Sequence, residues 1–168
     1  MKPHLLQADD ACVRINTPIG DMLLAADSQG LFGAWFIDQP DCPDEHMACA
    51  RLAAARWCLP AAQAQLQDYF RGTRHHFDLP LHFKIGTAFQ RRIWQALQSI
   101  VYGQTSHYAA IAAQAGHPSA VRAAGAAIGR NPISIVVPCH RVIGRNGHLT
   151  GFSGGLHRKQ VLLDLERR

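Results

Sequence analysis

The sequence predicts an α+β protein, with a small N-terminal antiparallel-sheet subdomain with helices, followed by a mostly helical C-terminal domain with a helix-turn-helix. Short apolar runs separated by turn residues fill the first forty positions, and helical stripes with helix-start signals dominate the second half. The charge changes sign as well. Residues 1–78 hold six basic and ten acidic side chains, a net of −4, whereas residues 79–168 hold eleven and two, a net of +9. We place the domain boundary after residue 80, between an N-terminal subdomain with its linker (1–80) and a C-terminal domain (81–168).

The N-terminal segment is predicted to form a three-stranded antiparallel meander. Residues 11–15 alternate between apolar and other side chains, and apolar runs at 20–26 and 31–37 each follow a cluster of turn residues. Strands linked by such short turns pair with their neighbours along the chain.

Helices are predicted to follow the meander. An Ala-rich stretch indicates a helix over 44–59, and a second helix over 60–70 is ended by Gly72. Residues 75–83 alternate again, which predicts a linker strand leading out of the subdomain.

The five cysteines have no regular spacing, and acidic residues within the first ten positions argue against a secretory signal. We therefore expect reduced thiols and a cytoplasmic protein. Four side chains are candidate metal ligands, namely Cys42, His46, Cys49 and Cys58. No paired Cys-x-x-Cys supports them, so ordinary helix packing is favoured over a structural zinc site.

The C-terminal half opens with a capping box. Thr87 supplies the hydroxyl and Gln90 the amide three residues later, and an apolar stripe then continues to Ile100. The next two helices are predicted over 106–115 and 119–129, joined by a short turn that contains glycine. This pair has the layout of a helix-turn-helix.

The helix predicted over 119–129 is built almost entirely from small residues. Gly125 in its interior costs about 1 kcal/mol relative to alanine, and Arg122 is its one long side chain before Arg130. A helix with such small side chains can approach another surface closely. That surface is either a neighbouring helix or a nucleic-acid groove. In the second case, the guanidinium of Arg122 is suited to insertion into a duplex.

No acidic residue lies between Leu79 and Leu163. A long basic stretch without carboxylates favours a polyanionic partner, although a solvated basic surface has the same composition. The contrast between the halves indicates that the C-terminal half meets phosphate.

The most informative stretch surrounds one cysteine. The apolar run 133–137 predicts a buried extended segment that ends at Pro138 and delivers Cys139, with His140 and Arg141 directly behind it. A thiol must lose its proton before it attacks, and a neighbouring imidazole and guanidinium favour the thiolate. The alternative for an isolated cysteine is a small core hydrophobe.

A glycine-rich loop over 144–155 follows the cysteine, and a closing helix is predicted over 156–167. Glu166 lies four residues after Leu162 and therefore shares the inward face of that helix. Because an inward carboxylate needs a partner, we expect Glu166 to contact His140.

Residues 131–144, which read Asn-Pro-Ile-Ser-Ile-Val-Val-Pro-Cys-His-Arg-Val-Ile-Gly, resemble the active-site signature of the O6-alkylguanine-DNA alkyltransferases, or methylated-DNA–protein-cysteine methyltransferases. The resemblance runs from Phe89 to Glu166 and includes the segments 120–125 and 149–155. Residues 1–80 match in general layout. No extra metal-binding module precedes the domain, so the chain resembles the stand-alone bacterial type.

The resemblance implies DNA repair by direct damage reversal. The alkyl (methyl) group of O6-alkylguanine, with O4-alkylthymine as a second lesion, would pass irreversibly from a flipped nucleotide in duplex DNA to Cys139 in a single turnover. His140 would act as the base through a water, and Glu166 would orient His140. Asn131 would brace the turn, and Tyr108 would give a proton to the departing guanine.

The resemblance also implies which residues contact the substrate and the DNA. The base pocket would be walled by Phe152, Gly151 and the backbone of Val142, and Ser153 would hydrogen-bond near O6. Arg122 would fill the gap left by the flipped nucleotide. Small residues on the same helix would allow that helix to enter the minor groove, namely Ala123, Gly125 and Ala126. The implied partner is double-stranded DNA with O6-alkylguanine, bound by a monomer with scope for cooperative binding. No cofactor, metal or membrane is implied.

Two other functions fit the sequence less well. A DNA-binding protein that senses lesions without transfer would not need Cys139. A cysteine hydrolase with a Cys-His-Glu triad would have no use for a helix-turn-helix in a basic half without acidic residues. Transfer of a labelled methyl group to the protein distinguishes all three functions.

Overall fold

The structure is a computed structural model that describes residue 6 and residues 10–43 and 57–168. The chain divides into two compact units, the first ending at Ile85 and the second beginning at Gly86. Within the described residues, no helix has the length and apolar character needed to cross a membrane. The helix predicted over 44–59 lies almost entirely outside the described residues.

The first unit contains the predicted three-stranded meander. Its antiparallel strands lie in the order β1 (Ala11–Ile15), β2 (Met22–Ala26) and β3 (Leu31–Phe36). Every residue of β2 and β3 is buried, so this sheet forms the core of the unit. Tight turns close both hairpins, since the Gly20 N–H donates to the Thr17 carbonyl (3.1 Å) and the Asp27 N–H to the Gly30 carbonyl (3.0 Å).

Helix α1 (Leu59–Phe70) packs on this sheet, and the helix predicted over 60–70 is confirmed. The linker strand predicted over 75–83 is wrong except at one residue. Leu81 forms an isolated bridge with Leu31, whose N–H donates to the Pro80 carbonyl (2.8 Å). Pro80 has no N–H to contribute to a ladder, which explains why the alternating pattern does not become a strand.

Cysteine usage differs from the expectation. Cys12 is disulfide-bonded, so the prediction that all five thiols are reduced is wrong at that position. Three other thiols are buried, namely Cys42, Cys58 and Cys139. Of the four metal-ligand candidates, His46 and Cys49 lie outside the described residues. The described residues hold no group of three His, Cys, Asp or Glu side chains that could bind a metal.

The second unit is mostly helical. Its helices are α2 (Ala88–Leu97), α3 (Tyr108–Gln114), α4 (Val121–Gly129) and α5 (Leu156–Glu166). Short strands β4 (Ser106–His107) and β5 (Val142–Ile143) pair in parallel, and a single 3-10 turn spans Cys139–Arg141.

The helix-start signal before α2 is confirmed. The Thr87 hydroxyl accepts from the Gln90 N–H (3.2 Å), and the Gln90 side-chain oxygen accepts from the Thr87 N–H (2.8 Å). This reciprocal capping satisfies two donors that the helix cannot use itself.

Helices α3 and α4 pack against each other as the predicted helix-turn-helix pair, and α2 packs against both of them. Gly116, at a φ of 82°, lies in the turn between α3 and α4, and the buried Trp94 indole donates to the Ala127 carbonyl (2.8 Å). The helix predicted from residue 106 begins two residues later, because Ser106 and His107 pair with β5. His107 instead caps α3, its Nδ1 accepting from the Ala110 N–H (3.0 Å).

The segment 133–137 is buried as predicted but is not extended. Ile135 has a φ of 72°, and the Val137 N–H donates back to the Ile133 carbonyl (2.9 Å). A β-branched residue rarely adopts a left-handed conformation, and it persists only where the surrounding structure enforces it. The chain therefore folds back on itself just before the nucleophile candidate.

We predict that Thr87→Ala lowers the free energy of unfolding by about 1 kcal/mol, because it removes the capping hydroxyl from α2. Urea denaturation followed by circular dichroism measures the change. Thr87→Ser, which keeps the hydroxyl, serves as the control and should lose much less. Equal destabilisation by both substitutions would contradict the capping role.

Candidate active site

Cys139 lies at the start of the 3-10 turn, with 3% of its surface exposed. The fully buried amide of Asn131, just after α4, organises the chain around it. Its Nδ2 donates to Cys139 Sγ (3.1 Å) and to the Val137 carbonyl (2.8 Å), while its Oδ1 accepts from the Ile133 N–H (3.1 Å). One side chain thus holds both the left-handed turn and the sulfur in place.

A carboxylate from the closing helix meets the two residues after Cys139. The Nε2 of His140 lies 2.8 Å from Glu166 Oε1, which is the contact predicted from the helical spacing. Arg141 binds the same carboxylate through Nε to Oε2 (2.8 Å) and through Nη2 to Oε1 (2.9 Å). The Gly103 N–H adds a fourth donor (3.2 Å). The side chains of His140 and Glu166 are 0% and 1% exposed, so this cluster is shielded from water.

Electrostatics fixes the protonation states in the cluster. Burial alone would raise the pKa of Glu166, but hydrogen bonds from His140 and Arg141 lower it to about 2, so the side chain is ionised. An ionised carboxylate only accepts, and His140 must therefore carry its proton on Nε2. Burial lowers the pKa of His140, which keeps the ring neutral. Its Nδ1 is then an unprotonated base, and this buried atom has no hydrogen-bond partner among the described residues.

Burial raises the pKa of the Cys139 thiol, so the resting sulfur is protonated. The hydrogen bond from Asn131 and the positive charge of Lys159 oppose this effect. The sequence-based expectation that Arg141 promotes the thiolate is incorrect, because its guanidinium is engaged by Glu166. The supporting cation is Lys159 instead.

Lys159 is the functional candidate that sequence reasoning missed. Its side chain is 0% exposed, and its Nζ donates to the carbonyls of Val142 (2.6 Å), Thr150 (2.7 Å) and Gly151 (3.4 Å). Burial lowers its pKa to about 8. The ammonium thus links β5, which follows Cys139, to the glycine-rich loop.

A signal for Lys159 is present in the sequence. The buried residues of α5 repeat at the spacing i, i+3, i+4 and i+7, and they are Lys159, Leu162, Leu163 and Glu166. The helical face that assigns Glu166 to the interior also assigns Lys159 to it.

Tyr108 reaches the site through strand pairing. It is the first residue of α3, directly after β4, and β4 pairs with β5 immediately beyond the 3-10 turn. Its hydroxyl donates to the Thr150 carbonyl (2.8 Å) and accepts from the Thr150 hydroxyl (3.1 Å). A β-carbon at Gly151 would lie 3.7 Å from that phenol oxygen.

The predicted pocket residues occupy two segments that Lys159 links. Val142 is fully buried in β5, and its carbonyl accepts from the lysine. Gly151, with a φ of 47°, is exposed, while Phe152 and Ser153 are partly buried just before α5. The structure places these residues within the segments that Tyr108 and Lys159 contact.

Helix α4 has a buried face and an exposed face, so its small residues can serve both packing against a neighbouring helix and approach to a nucleic-acid groove. The face buried against α2 and α3 carries Ala124, Ala127 and Ile128. Arg122, Ala123 and Ala126 are exposed and Gly125 is partly so. Close helix packing and a bare outer surface thus coexist on one helix.

The chain is similar to one family along most of its length. Residues 12–83 match the ribonuclease-like domain of 6-O-methylguanine DNA methyltransferase, and residues 88–168 match the DNA binding domain of the same family. A methylated-DNA–protein-cysteine methyltransferase of Mycolicibacterium paratuberculosis is 47% identical over 92% of this chain and 90% of its own. The constitutive enzyme of Bacillus subtilis is 44% identical over 90% and 92%.

Solved structures agree with this similarity. The O6-methylguanine methyltransferase of Mycobacterium tuberculosis superposes with a TM-score of 0.83 at 42% identity, covering 94% of this chain and 93% of that one. The same organism's OGT in complex with DNA superposes with a TM-score of 0.78 at 43% identity, covering 92% and 91%. These comparisons confirm the predicted fold class and the resemblance noted in the sequence.

We predict that Glu166→Gln lowers the free energy of unfolding at pH 7 by about 3–5 kcal/mol, because it leaves the buried Arg141 guanidinium without its counter-charge. The folded pKa of Glu166 is lowered from 4.5 to about 2. Its contribution is therefore complete above about pH 4.5 and is lost as the pH falls towards 2. Urea unfolding between pH 2 and 7 measures both effects, and the variant should lack this part of the acid-induced loss.

Asp164→Asn on the same helix is the control, because that side chain is 51% exposed and pairs loosely with Arg167 (3.6 Å). It should change stability by no more than about 0.5 kcal/mol. A similar loss in both variants would show that Glu166 does not anchor the cluster.

Proposed function

The chain belongs to the methylated-DNA–protein-cysteine methyltransferases, which repair DNA by direct reversal of damage, and we propose that its acceptor is the sulfur of Cys139. The observation that carries this proposal is a buried thiol that accepts a hydrogen bond from Asn131 and is followed by a neutral imidazole held by a carboxylate. The proposed substrate is O6-alkylguanine in duplex DNA. Because O4-alkylthymine presents the same alkyl–oxygen bond, we propose it as a second lesion.

The first step is activation of the thiol. The Nδ1 of His140 takes the Cys139 proton through a water, and Glu166 balances the imidazolium that results. The ionised carboxylate also holds the ring in the tautomer that leaves Nδ1 basic. Lys159 stabilises the negative sulfur, since its charge lowers the pKa of the thiol. Burial otherwise keeps the sulfur protonated, so the thiolate forms only when the imidazole removes the proton.

The second step is displacement. The thiolate of Cys139 attacks the alkyl carbon in line, a carbon–sulfur bond forms, and the bond between carbon and O6 breaks. The electron pair moves into the purine, which takes a proton from the Tyr108 hydroxyl. Ser153 hydrogen-bonds near O6, while Val142, Gly151 and Phe152 wall the base. The product is a thioether that nothing in the cluster can hydrolyse, so each molecule acts once.

DNA binding uses the bare face of α4. The target atom is inaccessible inside a stacked duplex, so the nucleotide must be turned out before transfer. We propose that the exposed Ala123 and Ala126, with Gly125, let α4 enter the minor groove, where Arg122 fills the gap in the stack. The basic C-terminal half supplies the phosphate contacts. A monomeric, cytoplasmic protein remains our prediction, as does scope for cooperative binding.

We predict that a duplex carrying labelled O6-methylguanine transfers one methyl group per chain, located on Cys139. Mass spectrometry of the intact protein and its peptides measures both quantities. Cys139→Ser should take no label, because its hydroxyl is a far weaker nucleophile. Cys58→Ser, which alters a buried thiol in the first unit, should still be labelled. Repeated turnover, or label on another residue, would refute the proposal.

We predict that Arg122→Ala slows repair of duplex DNA about tenfold or more, because the flipped state then bears the unstacking cost of a few kcal/mol without a plug. Reaction with the free alkylated base should be almost unchanged. Single-turnover rates on both substrates provide the measurement.

Arg130→Ala is the matched control, since it removes another exposed guanidinium at the C-terminal end of the same helix. It should affect phosphate contacts and salt dependence but not the ratio of the two rates. An equal loss on duplex and free base in Arg122→Ala would show that Arg122 does not act as a plug.

A further inference from the structure

The hydroxyl of Tyr108 is bound twice by a single residue. It donates to the carbonyl of Thr150 (2.8 Å) and accepts from the hydroxyl of Thr150 (3.1 Å). The phenol proton and the phenol oxygen are therefore both occupied by Thr150 in the resting protein. Neither the sequence motif nor the family resemblance assigned a role to this threonine.

The surroundings fix this pair of groups in place. The carbonyl of Thr150 also accepts from the buried ammonium of Lys159 (2.7 Å), so its position is determined from the interior. The ring of Tyr108 lies 3.5 Å from where a β-carbon would stand on Gly125, and its hydroxyl lies 3.7 Å from the equivalent point on Gly151. The tyrosine is thus confined between α4 and the glycine-rich loop, with its hydroxyl directed at Thr150.

We propose that Thr150 is a positioning residue for protonation of the departing base, an inference that rests on the proposed function. When the bond between the alkyl carbon and O6 breaks, the Tyr108 proton moves to the purine, and its electron pair stays on the phenol oxygen. The Thr150 hydroxyl already points its proton at that oxygen and stabilises the negative charge that develops there. The carbonyl of Thr150 accepts the hydrogen bond from the phenol until the alkylated purine enters the site. Solvent restores the proton after the base has left.

The location of Thr150 argues against a purely structural role. The residue is exposed in the loop before α5, and it contributes no side chain to the hydrophobic core. Loss of its hydroxyl opens no cavity. The hydroxyl donates to the phenol oxygen, which is the atom that gains charge during transfer.

The test compares two substitutions on two electrophiles. Thr150→Val keeps the shape and the backbone carbonyl but removes the hydroxyl, and it should slow methyl transfer from O6-methylguanine about tenfold, as expected for one hydrogen bond to a charged oxygen. Thr150→Ser should restore most of the rate. Alkylation of Cys139 by iodoacetamide should be unchanged in both variants, because iodide leaves without a proton.

Thr73→Val is the matched control. Thr73 is also an exposed threonine whose hydroxyl donates to a backbone carbonyl, that of Asp68 (3.0 Å), and it lies in the first unit. It should leave both reactions unchanged. If Thr150→Val slowed the iodoacetamide reaction as much as methyl transfer, Thr150 would be structural and the inference would be overturned.

A double-substitution cycle with Tyr108→Phe completes the test. Without the phenol hydroxyl, Thr150→Val should cause no further loss of methyl transfer. A wild-type rate in Thr150→Val, or a full additional loss in the Tyr108→Phe background, would overturn this inference while Cys139 remained the labelled residue. Methyl transfer without Cys139 would instead refute the proposed function itself.

Discussion

The buried carboxylate of Glu166 is the interaction on which the C-terminal unit depends. It accepts from the imidazole of His140, from two nitrogens of Arg141 and from the backbone N–H of Gly103. Breaking a buried charged pair is costly, because the remaining charge is left unsolvated. The last residue of α5 is thereby bound to the turn that carries Cys139, the proposed nucleophile. The same contact sets the tautomer of His140, so one carboxylate serves both the fold and the proposed chemistry.

Around this anchor, different groups hold the sulfur and, in the proposed reaction, activate it and stabilise its charge. Asn131 holds Cys139 by a hydrogen bond, and burial keeps the thiol protonated until it is needed. His140 is kept neutral by burial and can accept the proton. Lys159, rather than the adjacent guanidinium, provides the positive charge that favours the thiolate. Buried charges interact strongly because little water screens them, so small displacements of these groups should have large effects.

Helix α4 shows how small residues can serve packing and binding together. Ala127 and its neighbours on one face allow close contact with α2, where the indole of Trp94 bonds to the helix backbone. On the outer face, the short side chains of Ala123 and Ala126 allow another surface to approach the helix backbone closely, and the exposed Arg122 is the long side chain there. The ring of Tyr108 packs near Gly125, which places the proposed proton donor beside the proposed DNA-binding helix. The proposed recognition of the duplex and the proposed chemistry on its base are thus adjacent in the fold.

Signals that act over a few residues could be predicted from the sequence alone. The meander follows from apolar runs separated by turns, the start of α2 from its capping box, and the inward position of Glu166 from helical periodicity. The motif around Cys139 identified the nucleophile candidate and the family. Such features depend on backbone geometry and on neighbours one to four residues apart.

Other features were decided by contacts between distant segments. Ile135 is left-handed because Asn131 and the buried turn enforce that conformation, although the β-branched composition of residues 133–137 favours an extended strand. Arg141 pairs with a carboxylate 25 residues away rather than with the thiol two residues before it. Lys159 and Thr150 belong to the site because α5 and the glycine-rich loop pack beside β5, where the Lys159 ammonium bonds to the carbonyls of Val142 and Thr150. A polar side chain that packing removes from water must find a partner inside the protein. Which partner it finds depends on how the whole fold packs.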